Sequence, residues 1–267
     1  MSNSAGKSIF ITGAGSGIGR ATAKHFADRG WFVGLADIDA AGLAETQKLA
    51  PQDRQYASLF DVRDGEAWRQ SLAQFADATG GKLHVLFNNA GIARFGWFED
   101  VSEADANALI DINIKGVMLG CYAGLPLLKA THGARIINTA SAAGMIGAPK
   151  LAVYAATKFA VRGLSEALDL EFERHGVRVS CLMPWFIETP LLDGNASGSN
   201  QRMRDSLGAT KADIYPVELV AAAVWDVAHG DVVHAPVGKA AKRAWVMSRL
   251  FPNFTRRQIA KSLKQPQ

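Results

Sequence analysis

Along its whole length the chain alternates short apolar segments with longer amphipathic ones, and this alternation restricts it to a small set of folds. A strand covered on both faces reads as a continuous apolar run, whereas a half-exposed strand alternates apolar and polar residues. Segments 8–12, 31–36, 55–60, 83–87, 135–139, 177–183 and 232–235 are the expected strands, and most are continuous runs. Between them, helices are expected over 18–28, 40–49, 64–77, about 102–122 and 152–175, with a last one opened by Pro216 and ended at Gly230. Asp64 and Ser102 stand at N-cap positions, and Ser102-Glu103-Ala104-Asp105 resembles a capping box. The series predicts one doubly wound α/β domain with a mainly parallel sheet flanked by helices on both faces. No repeat, low-complexity tract or linker divides it.

Composition narrows the class. Of 267 residues, 48% are apolar and 20% charged, which suits a globular protein with a substantial core. Cys121 and Cys181 lie in apolar segments without a CxxC spacing, so buried free thiols in a reducing compartment are expected. The few residues before Ile9 are too short for a signal peptide, and the apolar run Val220–Trp225 is too short for a membrane span. A cytoplasmic location is the expectation. The six histidines form no ligand-like cluster, and no metal is expected.

Charge is unevenly placed. Residues 239–267 carry eight basic side chains and no acidic one; removing that +8 from the net +4 leaves −4 for residues 1–238. The sequence thus divides into a main α/β domain over 1–238 and a basic C-terminal extension over 239–267 that is not a separate domain.

Where the first strand meets the first helix stands Thr12-Gly13-Ala14-Gly15-Ser16-Gly17-Ile18-Gly19. Glycines here let backbone N–H groups approach a pyrophosphate at a helix N-terminus, so Gly13, Gly15, Ser16, Gly17, Ile18 and Gly19 are candidate cofactor contacts. No Gly-Lys-Ser/Thr follows, which excludes a P-loop. Asp37 closes the second strand, where a carboxylate accepts both ribose hydroxyls of NAD and repels the 2′-phosphate of NADP. A plain N-cap or turn role is the competing reading of Asp37. Arg20 begins the helix beyond the glycines, and its side chain is expected to point to solvent. Asp61-Val62 and Asn88-Asn89-Ala90-Gly91 end the third and fourth strands on the same sheet edge, where open α/β folds bind ligands.

Tyr154 and Lys158 are four residues apart on a helix and share a face. A nearby ammonium, with a cationic nicotinamide, is expected to lower the phenol pKa and make Tyr154 a proton acceptor for an alcohol that loses hydride. Ser141, just beyond the fifth strand, is placed to hydrogen-bond the substrate oxygen. Asn113 is a poor helix-interior residue and is expected to hold a relay water next to Lys158. An amphipathic helix face alone would explain Tyr154 and Lys158, but not Ser141 and the glycine loop with them.

Taken together, these motifs make the chain resemble the classical short-chain dehydrogenase/reductase family, from about Lys7 to Ala235. The matching residues are Thr12–Gly19, Asp61, Asn88–Gly91, Asn113, Ser141 and Tyr154-Ala155-Ala156-Thr157-Lys158, with Ser141 thirteen residues before Tyr154. The resemblance implies a Rossmann-type sheet with an additional strand, a catalytic tetrad of Asn113, Ser141, Tyr154 and Lys158, and NAD as cofactor. It further implies that Tyr154 and Lys158 meet the nicotinamide ribose end, that Asp61 and Val62 contact adenine, and that Ile187 and Thr189 hold the carboxamide. Ala90 and Gly91 belong to the same cofactor set, and homodimers or homotetramers built from the helices carrying Asn113 and Tyr154 are usual in the family.

Two features depart from that pattern. Pro184-Trp185 replaces the usual Pro-Gly after the sixth strand, and the basic tail extends past the last strand. Phe95, Ile146, Trp185 and Leu191 are candidate substrate contacts, favouring a small hydrophobic secondary alcohol or ketone. The segment Asn195–Asn200 is a candidate lid. The tail is expected to pack over the pocket or on a neighbouring subunit. Its basic and apolar residues do not segregate cleanly over 241–251, which leaves a membrane-surface helix, compatible with catalysis, as the lesser reading, and no recognition motif points to nucleic acid. A catalytically idle NAD-sensing or scaffold protein of the same fold is the alternative; such a protein has no need of Tyr154 with Ser141.

Overall fold

In the computed structural model, residues 6–194, 196–199, 202–209 and 212–262 are described. Seven strands form one sheet: β1 (Ser8–Thr12), β2 (Phe32–Asp37), β3 (Gln55–Leu59), β4 (Val85–Asn88), β5 (Arg135–Thr139), β6 (Arg178–Pro184) and, last in the sheet, β9 (His234–Val237). Their order is β3-β2-β1-β4-β5-β6-β9, and every pairing is parallel. Parallel neighbours require a crossover helix, and the helices fall on both faces. Alternate residues of one strand therefore enter different cores. Phe10 packs with Trp68, Phe75, Leu86 and Ile136 on one face. Ile9 and Ile11 pack with Phe26, Val33, Phe87 and Val224 on the other.

The helices begin and end where local chemistry directs. Asp64 caps α3 (Gly65–Thr79), accepting from the amides of Glu66 at 2.8 Å and Ala67 at 3.1 Å; Gly80, at φ 62°, ends it in a left-handed turn. Asp39 caps α2 (Ala40–Gln47), and α1 (Gly17–Ala27) follows the glycine loop. Ser102 caps α4 (Glu103–Ile110) through its hydroxyl, which accepts from the Asp105 amide. The Asp105 carboxylate turns instead to Arg94 and the Ser102 hydroxyl, so the capping box is half-formed.

The single helix expected over 102–122 is three pieces. Between α4 and α5 (Gly116–Lys129) lies a π-helical turn, Asp111–Lys115. Its origin is Asn113, whose side chain clamps the backbone of Ile92 through both an N–H and a carbonyl, at 2.9 Å each. By length and composition, Glu103–Lys129 is apolar enough to cross a membrane. Here Leu109, Val117, Cys121 and Leu128 are buried under it, while Ile110, Met118 and Tyr122 face outward.

After α6 (Ala152–Glu173) and β6, the short pair β7 (Phe186–Ile187) and β8 (Ile214–Tyr215) with α7 (Met203–Ala209) caps the carboxyl edge of the sheet. Leu151, Leu192, Met203 and Leu207 give this cap its own small core. Helix α8 (Val217–His229) returns to the sheet, with Pro216 at its N-cap. The last strand begins two residues later than expected, because the carbonyls of Val232 and Val233 bind the Ser180 hydroxyl and the Cys181 amide on the way into it. The chain continues into α9 (Lys239–Leu250) and α10 (Pro252–Ser262). Leu263 and Lys264 of the tail, and Asn195 and Asn200 of the candidate lid, lie outside the described residues.

Candidate active site

A cleft of about 500 Å³ opens at the carboxyl edge, where β1 and β4 diverge into opposite halves of the sheet. At one end is the glycine loop. Gly13 and Gly17 have φ of 67° and 48°, which a side chain tolerates poorly. A Cβ on Gly13 would stand 2.9 Å from Asn89 Nδ2, and one on Gly19 only 2.0 Å from the Gly13 carbonyl. Gly13, Ser16, Gly17 and Ile18 line the cleft, while Gly15 and Gly19 lie behind the loop and let it close. The Ser16 hydroxyl caps no amide of α1, which leaves the helix N-terminus facing the cleft.

Asp37 ends β2 at the cleft wall. Its Oδ2 accepts the Gly15 N–H at 2.7 Å and its Oδ1 the Asp39 N–H at 2.9 Å, so the carboxylate is fixed while its remaining lone pairs face the cavity. Arg20 does not point to solvent as expected. Its guanidinium folds back onto the carbonyls of Gly15 and Gly42 and onto Thr46 Oγ1, acceptors that the glycine loop and α2 bring together beside it.

Asp61 and Val62 line the next stretch, and Arg63 joins them. Arg63 forks onto Asp61, holding its carboxyl below the ordinary range. Of the Asn-Asn-Ala-Gly motif, Asn89, Ala90 and Gly91 reach the cleft, but Asn88 does not. Asn88 is still inside β4, so its side chain points into the core and donates to Asn138 Oδ1 at 2.9 Å. Asn89 is the polar side chain at the edge, donating to the Thr12 carbonyl at 3.0 Å.

At the other end Ser141, Tyr154 and Lys158 converge. Ser141 opens a turn by accepting from the Ala143 amide at 3.1 Å. Lys158 is buried and donates to the Thr139 carbonyl at 2.9 Å; burial pulls its pKa down to about 8. Burial raises the Tyr154 phenol pKa, and only the neighbouring Ser141 hydroxyl pulls the other way. Lys158 Nζ stands 5.6 Å from the Tyr154 ring centroid. Asn113 is fully buried beneath this group. Its donors and acceptor go to Ile92 and to Thr157 Oγ1 at 3.1 Å, so it braces the site from behind and does not line the cleft.

Ile187 and Thr189 border the loop end, with Thr189 Cγ2 3.0 Å from the position of a Cβ on Gly17. Ile146, Trp185 and Leu191 line the remaining cavity. Phe95 does not. It packs against the core of the cap under the Lys150 ammonium, and its backbone bridges to Ala196. The sequence reading missed Ile38 and Arg63, which adjoin expected contacts. Ile259 of α10 also lines the cleft, in line with a tail that packs over the pocket, and Met203 of α7 joins it.

Comparisons agree with this geometry. The family model for short chain dehydrogenases matches residues 7–200. The protein SadH of Mycobacterium tuberculosis is 34% identical over 267 residues, covering 97% of this chain and 96% of that protein. LinX of Sphingobium indicum, a 2,5-dichloro-2,5-cyclohexadiene-1,4-diol dehydrogenase, is 38% identical over 190 residues, covering 70% and 75%. A short chain dehydrogenase/reductase from Burkholderia phymatum, solved in complex with NAD, superposes with a TM-score of 0.75 at 31% identity, covering 86% and 88%. The chain belongs to the short-chain dehydrogenase/reductase family. It is an oxidoreductase of that class.

Proposed function

We propose that the protein is an NAD-dependent oxidoreductase that moves a hydride between nicotinamide and the carbinol or carbonyl carbon of a hydrophobic secondary alcohol or ketone. The observation that carries this reading is the single cleft with a glycine loop and Asp37 at one end and Ser141, Tyr154 and Lys158 at the other. The loop fits a dinucleotide because its glycines leave no Cβ where a pyrophosphate approaches α1. Asp37 fits two ribose hydroxyls, and Arg20, bound to backbone acceptors, is not placed to meet a 2′-phosphate. Asp61, Val62, Ala90 and Gly91 flank the adenosine side, and Ile187 and Thr189 the carboxamide. Bound nicotinamide supplies the hydride acceptor or donor.

The protein supplies the proton chemistry. Tyr154 gives its proton to the substrate oxygen in reduction and takes it back in oxidation, and Ser141 holds that oxygen by a hydrogen bond. Lys158, with a pKa of about 8, is mostly protonated at neutral pH, and its charge lowers the Tyr154 pKa once substrate and cofactor complete the site. Asn113 keeps Ile92 and α6 in register beneath them. Ile92, Ile146, Trp185, Leu192 and Met203 make an apolar chamber, and the carbocyclic diol named for LinX is a substrate of comparable character. Residues 1–238 form the catalytic unit and 239–267 an extension of it. The outward Ile110, Met118, Tyr122, Phe159 and Leu170 on α4, α5 and α6 support a homodimer or homotetramer.

The test is a panel of secondary alcohols, including sterols and aryl carbinols, followed by absorbance of the reduced cofactor. Turnover of apolar carbinols with NAD is expected. Tight NAD binding with no turnover of any carbinol or ketone would favour a cofactor-sensing protein instead.

A further inference from the structure

The C-terminal helices carry a surface that the catalytic reading does not use. On α9, residues Lys239, Lys242, Arg243, Val246, Arg249 and Leu250 follow the i, i+3, i+4, i+7 spacing of one helix face, and all are exposed. The opposite face holds Ala241, which is buried, with Ala244 and Trp245 packed on the main core. The mixed pattern over 241–251 therefore resolves once the body of the protein is taken into account. One face seats on the domain, and the other presents apolar and basic residues together. Val246 is 50% exposed, Leu250 66%, Phe251 54% and Phe254 52%, the last three clustered at the elbow where α9 meets α10.

Around them stand seven described cations, Lys239, Lys242, Arg243, Arg249, Arg256, Arg257 and Lys261, with no acidic residue on either helix. Among the described residues, no carboxylate pairs with any of the seven. Arg249 instead stacks 3.7 Å from the Trp245 ring centroid. A second copy docking through the same face would set these charges against their own kind. A polynucleotide would satisfy the charge but leave Val246 and Leu250 without a partner.

We propose that α9 and α10 form a docking surface for an anionic lipid bilayer, with Leu250, Phe251 and Phe254 entering the headgroup boundary and the flanking cations held at the lipid phosphates. Short helices with aromatic and aliphatic residues beside lysine and arginine bind in this manner, through buried apolar area and charge together. The position of the surface gives it a use. Ile259 of α10 lines the catalytic cleft, so docking sets the cleft mouth at the bilayer, where an apolar alcohol or ketone partitions. That last consequence rests on the proposed function; bilayer binding does not.

Co-sedimentation of the full chain with vesicles tests the surface without any assay of turnover. Binding is expected to vesicles of phosphatidylcholine with about a third phosphatidylglycerol, to weaken with salt, and to be nearly absent on pure phosphatidylcholine. Arg256→Gln with Arg257→Gln should weaken partitioning about thirtyfold, at the usual gain per surface cation. Phe251→Ser with Phe254→Ser should weaken it at least as much, and all four side chains are exposed, so both variants should keep the wild-type circular dichroism and NAD affinity. No sedimentation with the anionic vesicles at low salt would overturn the proposal, as would unchanged binding by both variants. A change of oligomeric mass in the phenylalanine variant would assign the patch to a subunit contact, and polynucleotide binding without vesicle binding would assign it to nucleic acid; either result also overturns it.

Discussion

Lys158 Nζ donates to the main-chain carbonyl of Thr139 at 2.9 Å, so the ammonium buried beside Tyr154 is tied to the end of β5. One neutral acceptor does not replace the hydration of an ammonium, and burial pulls the pKa from its ordinary 10.5 to about 8. The displacement corresponds to roughly 3 kcal/mol of unfavourable interaction at neutral pH. The unfolded chain holds the proton up to about pH 10.5 and the folded chain only to about 8, so stability should rise as pH increases between those values. Lys158→Met should abolish that rise, increase stability at pH 7 by about 1–3 kcal/mol, and destroy activity. Urea unfolding at pH 7 and pH 9.5 separates the outcomes. An equal pH slope in the variant would place the strain elsewhere.

Tyr154→Phe should lose at least about a hundredfold in kcat while NAD affinity stays within about twofold. General acid–base catalysis contributes typically about 10²–10⁴-fold, and the ring that packs against the cap core is kept. Stopped-flow turnover and calorimetric NAD titration check the two halves. Retained turnover would move the proton donor to Ser141 or to solvent.

The sheet and most of the site were legible because both depend on local pattern. Unbroken apolar runs located β1, β4 and β6, and side-chain caps at Asp64 and Ser102 set helix starts that the structure keeps. What stayed hidden depends on direction or on distance. Asn88 and Asn89 are adjacent in a motif, yet the two-residue period of β4 sends only Asn89 to the edge. Asn113 was visible as an anomaly in a helix, but its partner Ile92 is 21 residues away, and the π-turn follows from that contact. The exposed face of α9 emerges only once Ala241 is buried against the domain.

Acid should destabilise the protein through Asp169. Burial alone would raise this carboxyl, but Arg178 at 2.9 Å and the Val179 amide at 2.8 Å outweigh it and hold the pKa below the ordinary range. A carboxylate whose pKa is depressed by folding stabilises the native state above its unfolded value, and that stability is lost as pH falls through the folded one. Asp169→Asn should cost about 1.5–3 kcal/mol at pH 7, the range for charged hydrogen bonds, and less below pH 4. Thermal unfolding of both proteins across that interval measures the difference. A constant gap between them would mean that packing, and not charge, carries the effect.

Cofactor choice should turn on Asp37. The carboxylate is held by the Gly15 and Asp39 amides at 2.7 and 2.9 Å, which fixes its charge at the cleft wall and prevents it from swinging aside for a 2′-phosphate. NADP binding would also leave it without ribose partners, a loss on the order of 1.5–3 kcal/mol. NAD should therefore be preferred by at least about tenfold in kcat/KM, since about 1.4 kcal/mol is a factor of ten. Asp37→Ala should raise kcat/KM for NADP relative to NAD, but not invert the preference fully, because Arg20 remains bound to Gly15, Gly42 and Thr46 and supplies no cation to the phosphate. Adding Thr46→Ala should release part of that hold and move the ratio further toward NADP. Equal use of both cofactors by the wild type would remove Asp37 from the ribose site. A full inversion in Asp37→Ala alone would show that Arg20 leaves its backbone acceptors when a phosphate is offered.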